Sequence, residues 1–422
     1  RDIPNIKGIK AGEKIITSEN FDKEIPDIIA RLNSSYLFLQ GPPGTGKTFQ
    51  SANAIVELLK KNKRIAVTAN SHKVIHNLLE RVEKIAEKQS FLFKGLKMGN
   101  PDNEDTFYKG KLIKTDKNER HYIDGLKERN TLLYAGTKYH LSQWYYRNKI
   151  DYLFVDEAGQ ISIADLIALG GVAKNIILVG DQLQLGQPTQ GSHPGLSNNS
   201  VLDYLLQGKD TVEDNRGIFL SRTYRMHPNI NSFISENFYE NKLLTNPENK
   251  NRKIDFPKNF FLNNEGIHTI LMDHEDCTQT SEQEFKKIDE IIKKLIGKKF
   301  TDADNKERPL TIEDFLIVSP YNAQVNFLLA RLPEGTRCGT IDRFQGQEAP
   351  VTIISMTSSD LESLPRDKSF FFNRNRLNVA ISRAQCLSVI LFNPKLLESP
   401  PKTYEEFKMI NNFQKLLKYR IN

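Results

Sequence analysis

Gly41-Pro42-Pro43-Gly44-Thr45-Gly46-Lys47-Thr48 follows an apolar run, Tyr36-Leu37-Phe38-Leu39, and precedes a stretch in which Ala52, Ile55, Val56, Leu58 and Leu59 recur at helical spacing. The order is strand, glycine-rich loop, helix. A loop encloses the charged phosphates of a nucleotide only when its backbone N–H groups turn inward without side chains in the way, and Gly41, Gly44 and Gly46 permit that turn. The helix start adds free N–H groups and a positive dipole end. Lys47 is placed to reach the β and γ phosphates, and the Thr48 hydroxyl to ligate Mg²⁺. Pro42, Pro43 and Thr45 complete the loop, and ATP·Mg²⁺ is its expected ligand.

Outward from this loop the rhythm is that of an α/β protein with a mainly parallel sheet covered on both faces. A helix is expected over Phe21–Leu32. A strand follows over Arg64–Thr68, then a turn at Ala69-Asn70-Ser71 and an amphipathic helix through Lys84. Residues 85–129 read as an inserted segment of mixed charge, with Lys109, Lys111, Lys114, Lys117 and Arg120 either lining a nucleic-acid path or forming a solvated surface excursion. Strands resume at Thr131–Ala135, Tyr152–Val155 and Ile176–Val179. Gly186–Asn199 is expected as a long loop, with Ser200 capping a helix through Leu206.

A domain boundary is expected between residues 208 and 209. The second half carries strands at Ile218–Leu220, Thr269–Met272, Phe315–Val318, Val351–Ser355 and Ser388–Phe392, and helices at Glu282–Leu295, Ala323–Leu332 and Leu377–Ala384. It contains no second phosphate loop.

Length, at 422 residues, suffices for two large domains, and 38% hydrophobic with 26% charged residues suits a soluble globular chain. No apolar run approaches the roughly 20 residues of a membrane helix, and no signal peptide opens the chain, so a cytoplasmic location with no membrane partner is expected. Arg1 in place of Met implies a piece excised or processed from a longer polypeptide. The net charge of +7 is compatible with a polyanionic partner. Cys277, Cys338 and Cys386 are odd in number and far apart, which argues against a disulfide framework.

The strand Tyr152–Val155 ends in Asp156-Glu157-Ala158-Gly159. Adjacent carboxylates after a buried strand are costly unless a metal or water network uses them. Asp156 is placed to hold Mg²⁺, directly or through water, and Glu157 to accept a proton from the water attacking the γ phosphate. An exposed pair capping a helix is the plainer alternative.

Besides GPPGTGKT and DEAG, the stretches GDQLQL (180–185), TYRMHP (223–228), GTIDRFQGQE (339–348) and NRLNVAISRA (375–384) occur in one order. Together they resemble the motif set of superfamily 1 helicases, in the branch with the nonsense-mediated-decay helicase and the replication helicase-nuclease. The resemblance spans nearly the whole chain. It implies two RecA-like domains, 1–208 and 209–422, with ATP in the cleft between them, and an ATP-dependent helicase or translocase moving 5′ to 3′ on a single strand.

The same resemblance assigns roles. Gln184 would sense the γ phosphate or the attacking water. Arg225 and Arg383 would neutralise charge developing during phosphoryl transfer, a buried structural ion pair being the alternative for each. Tyr224 would lie against adenine and Glu348 would accept from the ribose. Arg376 orders an interdomain polar network or is a plain surface arginine. Asn70, Ser71, His72, Thr137, Pro320, Tyr321, Thr340 and Arg343 would line the nucleic-acid strand, touching phosphates and sugars. Relatives carry an upstream glutamine that reads adenine. Residues 1–39 contain none, and Gln40 is a poor substitute.

Ser35–Thr48 and Val67–Leu79 look most like bacterial chains in which such a motor follows a RecB-like nuclease. That favours DNA over RNA and an upstream nuclease in the same polypeptide. Three rivals stand beside this reading: an RNA helicase of the same branch, a translocase that does not unwind duplex, and a nucleotide-gated binding module that hardly turns over. His72 and His76 have metal-site spacing, but Lys73 stands where a zinc protease places Glu. Trp144, Tyr145 and Tyr146 precede a buried strand, where core packing is favoured over base stacking.

Overall fold

The computed structural model describes residues 3–18, 20–186, 195, 199–257, 260–344, 346–360, 372–398 and 403–421. Most of the expected loop at 186–199 lies outside the described residues. The chain forms two compact units, residues 1–182 with 186–221, and residues 183–185 with 222–422.

In the first unit, α1 (Phe21–Ala30) leads into β1 (Tyr36–Gln40), the loop, and α2 (Lys47–Lys60). Next come β2 (Ile65–Thr68), α3 (His72–Lys88), β3 (Gly95–Met98), β4 (Ile113–Asp116), α4 (Glu119–Glu128) and β5 (Leu133–Ala135). The sheet is completed by β6 (Ile150–Val155), β7 (Ala173–Gly180) and β8 (Gly217–Phe219). All pair in parallel, in the order β4-β3-β5-β2-β6-β7-β1-β8.

Alternation along the strands covers both faces. Leu37, Leu39, Ile65, Val67, Tyr152 and Phe154 pack with helices α1 to α3 on one side. Phe38, Ala66, Leu153 and Val155 pack with Tyr122, Leu126, Tyr146 and Leu202 on the other. Helix α3 begins where Ser71 Oγ accepts from Val74 N, a cap worth about 1 kcal/mol. It buries Ile75, Leu78, Leu79, Val82, Ile85 and Ala86 on one face.

Two expectations are corrected here. Residues 85–129 do not interrupt the sheet: 85–88 finish α3, β3 and β4 extend the sheet to its edge, and α4 buries Tyr122 and Leu126 against it. Only the first residue of β4 is fully buried, so its sequence reads as polar. The strand at Ile218–Leu220 belongs to the first unit, because β8 pairs with β1. The chain therefore divides after Ser221 rather than at 208/209.

The second unit has its own five-stranded parallel sheet. Its order is Gly266–Leu271, Ala384–Phe392, Ala349–Ser355, Phe315–Val318, Arg337–Gly339. Ile288, Ile291, Ile292 and Leu295 of the helix Glu282–Leu295 pack on it with Phe315, Ile317, Val351 and Val389. A small antiparallel sheet of Lys253–Ile254, Lys299–Thr301 and Glu307–Pro309 was not legible as strands. Among the described residues no helix is long and apolar enough to cross a membrane.

Candidate nucleotide site and nucleic-acid path

The phosphate loop leaves the carboxyl end of β1, held where Gly41 N donates to Gly180 O at 2.9 Å. Gly44 and Gly46 adopt φ of 74° and 81°, the left-handed region glycine enters without penalty. Gly46 caps α2, so Lys47 and Thr48 open the helix with N–H groups directed into the loop. Thr45 Oγ1 donates to Pro42 O at 2.8 Å, and Lys47 Nζ donates to Gly41 O at 2.5 Å. A Cβ on Gly41 would lie 2.0 Å from Lys47 Cγ, so this glycine makes room for the lysine stem.

Asp156 leaves the end of β6, where its N–H donates to Thr68 O at 2.9 Å. Its side chain is buried. Burial, then the Glu157 carboxylate, push Asp156 up to about 7, against the pull of the Glu157 N–H and the Lys47 charge. A desolvated carboxylate that resists ionisation, facing a phosphate loop, is a donor that a divalent cation suits. The Gly41 cradle and this carboxylate fit a magnesium nucleotide, which Thr48 and Asp156 would hold. Glu157 adopts φ of 50°, which a non-glycine residue rarely takes without cause.

Gln40 does not stand in for an adenine reader. It is fully buried, with Nε2 donating to Gln182 Oε1 (3.0 Å) and Asp210 O (2.9 Å), and Oε1 accepting from Val212 N (2.7 Å). Gln182 Nε2 also reaches Asp210 O at 2.7 Å. This amide pair ties the ends of β1 and β7 to the segment before β8, a role sequence reasoning missed. The signal was a glutamine closing an otherwise apolar strand.

In the second unit the motif arginines converge. Arg225 Nε donates to Glu348 Oε2 at 2.5 Å and its Nη1 to Ser382 O at 3.2 Å. Gln385 Nε2 donates to Glu348 Oε1 at 2.8 Å, and buried Arg383 donates to Gln347 O at 3.1 Å. Tyr224 is exposed. Gln184 is half-buried, in the short 183–185 piece that groups with this unit. Arg376 reaches Asp342 Oδ2 at 3.3 Å.

Asn70, Ser71 and His72 follow β2, and Thr137 follows β5; these strands are neighbours. Their loops share the carboxyl edge of the sheet with Lys47 and Asp156. In the second unit Pro320 and Thr340 follow the neighbouring strands Phe315–Val318 and Arg337–Gly339, and Arg343 is exposed. Tyr321 is buried, so its ring is part of the fold rather than a surface platform.

His72 and His76 share a helix face, ring centroids 6.2 Å apart, and meet no third metal-binding side chain among the described residues. Beside them lies fully buried Lys97, a residue sequence reading had passed over. Burial, with the Lys97 charge next in weight, lowers both imidazoles, His76 to about 4. Tyr145 and Tyr146 are core residues, whereas Trp144 is exposed.

Two families, each described as AAA domain, match end to end, over residues 27–197 and 198–395. A Drosophila melanogaster protein named "Regulator of nonsense transcripts 1 homolog" is 27% identical over 85% of this chain and 33% of its own length. The Schizosaccharomyces pombe "DNA polymerase alpha-associated DNA helicase A" is 27% identical over 82% of this chain and 59% of its own. The same yeast's "DNA replication ATP-dependent helicase/nuclease dna2" is 24% identical over 86% and 27%. Over most of its length the chain is similar to proteins named as helicases.

The chain spans about a quarter to three fifths of the length of those relatives. Among solved structures, an arterivirus nonstructural protein 10 helicase with DNA is 14% identical, with a TM-score of 0.46 over 89% of this chain and 63% of that one.

Proposed function

We propose that this chain is an ATP-hydrolysing motor acting on single-stranded nucleic acid, DNA in preference to RNA, moving 5′ to 3′. The observation that supports it most is the gathering of Lys47, Thr48, Asp156 and Glu157 at one edge of one parallel sheet. The loop N–H groups and the α2 start bind the triphosphate, and the Lys47 ammonium exchanges its loop carbonyl for phosphate oxygens. Thr48 and Asp156 would hold Mg²⁺, which would supply positive charge against the phosphates. Glu157 takes the proton of the attacking water, Gln184 orients that water, and Arg225 and Arg383 stabilise charge as the phosphoryl group transfers. Tyr224 packs on the adenine, and Glu348 accepts from the ribose once Arg225 turns to phosphate.

Asn70, Ser71, His72, Thr137, Pro320, Thr340 and Arg343 contact the strand. A nuclease in the same polypeptide, as in RecB-like fusions, would supply any cutting. The relatives' names divide between transcripts and DNA, which keeps an RNA motor as the second reading.

ATP turnover with single-stranded DNA, single-stranded RNA or neither separates the two. Greater stimulation by DNA supports the first reading and greater stimulation by RNA the second. A 5′-tailed duplex that stays annealed while ATP is consumed would mark a translocase without unwinding.

A further inference from the structure

A cleft of about 500 Å³ opens at the amino ends of the first sheet, away from the phosphate loop and the Asn70 and Thr137 loops. Arg64 enters β2, Lys149 and Asp151 enter β6, and Lys174 lies in β7 next to its first residue. Lys127 and Arg129 come from the end of α4, and Asn62 and Asn148 complete the polar rim.

Five cationic side chains therefore face one carboxylate. Asp151 Oδ2 accepts from the Arg64 backbone N–H at 3.0 Å, and the Arg64 guanidinium donates to Lys149 O at 3.1 Å rather than to an acid. Glu128 borders the cleft in sequence, and its Oε2 accepts from Asn130 Nδ2 at 2.6 Å. Among the described residues no ion pair engages Arg64, Lys127, Arg129, Lys149 or Lys174.

Cations at a helix C-terminus complement its dipole, which accounts for Lys127 and Arg129. It does not account for Arg64, Lys149 and Lys174, which stand at strand entries. Like charges drawn round a concave surface raise its potential and concentrate anions there. Asn62 and Asn148 add hydrogen-bonding groups, and the lining is mostly polar, with Leu126, Leu132 and Ile150 its apolar members.

We propose that this basic cleft is a second binding surface for the phosphate backbone of nucleic acid, on the side of the first unit opposite the candidate path. The inference rests on the nucleic-acid reading above. Phosphates are its ligand chemistry, so contacts there add affinity without sequence preference, and the affinity is lost as salt rises.

The test compares the 422-residue chain with a Lys127→Gln/Lys149→Gln/Lys174→Gln variant, titrating a fluorescent single-stranded DNA oligonucleotide at several salt concentrations. Each lost phosphate contact lowers the slope of log K against log salt by about 0.7. The expected result is a slope shallower by about 2, weaker binding at low salt, and unchanged ATP turnover without DNA. An unchanged slope with tight binding by both proteins overturns the cleft and leaves the motor reading standing. No oligonucleotide binding by the parent overturns both. If the variant loses only inorganic tripolyphosphate binding and retains the parent's DNA slope, the cleft holds small phosphates and the nucleic-acid assignment fails.

Discussion

Arg225 and Glu348, 123 residues apart, meet as an ion pair with Nε 2.5 Å from Oε2. Burial alone would raise the Glu348 carboxyl, but the Arg225 charge and hydrogen bond, with help from Gln385, hold it below the ordinary range. The pair connects the strand-entry motif at 348 to the arginine of TYRMHP. It gives Arg225 a defined partner within the second unit.

Turnover and stability should therefore separate at Arg225. Arg225→Ala is expected to lower ATP turnover by about 10³ or more. Its cost in urea denaturation should be only about 1 kcal/mol, because the Glu348 side chain is 41% exposed. A variant equally damaged in both would make the arginine structural.

Gly41→Ala tests the loop without replacing a charged group. The added methyl meets Lys47 Cγ at 2.0 Å, so the lysine stem must move. ATP binding by calorimetry should weaken about tenfold or more, a loss of at least about 1.4 kcal/mol, with the circular dichroism of the fold retained.

Glu284 predicts a stability effect far from the nucleotide. It is fully buried, with Oε1 3.3 Å from His274 Nε2, and it accepts from Ser355 Oγ (2.5 Å) and Thr357 N (2.9 Å). Glu284→Ala orphans His274 Nε2 and the Thr357 N–H together, and should cost about 3–5 kcal/mol in denaturant titration. Glu284→Gln should cost less, because its amide oxygen can serve His274 and the Thr357 N–H while its nitrogen donates to a rotated Ser355 hydroxyl.

Acidification should weaken the first unit through His140. Burial lowers this imidazole to about 4, and its Nε2 lies 2.6 Å from the Tyr146 hydroxyl. The unfolded chain takes up the proton near the ordinary 6.5, the folded chain only near 4. Stability is thus whole above 6.5 and falls as pH drops from 6.5 toward 4, by up to about 3 kcal/mol. His140→Phe should remove its share of that slope, measured as the denaturation midpoint, and leave the share of His76.

What could be read from sequence was local. The phosphate loop, Asp156-Glu157 and the helix Glu282–Leu295 each carry their signal in consecutive residues, and each stands where expected. β3 and β4 were missed, and β8 was read as a strand but placed in the wrong unit, because strands of three or four residues take their place from the strand they pair with. The glutamine pair Gln40–Gln182 and the ion pair Arg225–Glu348 join residues more than 100 positions apart, which no local pattern announces.

The central claim is that the site at the edge of the first sheet hydrolyses ATP under the control of a nucleic-acid strand. Steady-state turnover of the parent chain and its Glu157→Gln variant, each with and without single-stranded DNA, tests it most directly. The account predicts turnover that the oligonucleotide stimulates in the parent and that the variant loses by about 10² or more while still binding ATP. Equal, slow turnover in both proteins, indifferent to the oligonucleotide, would contradict it.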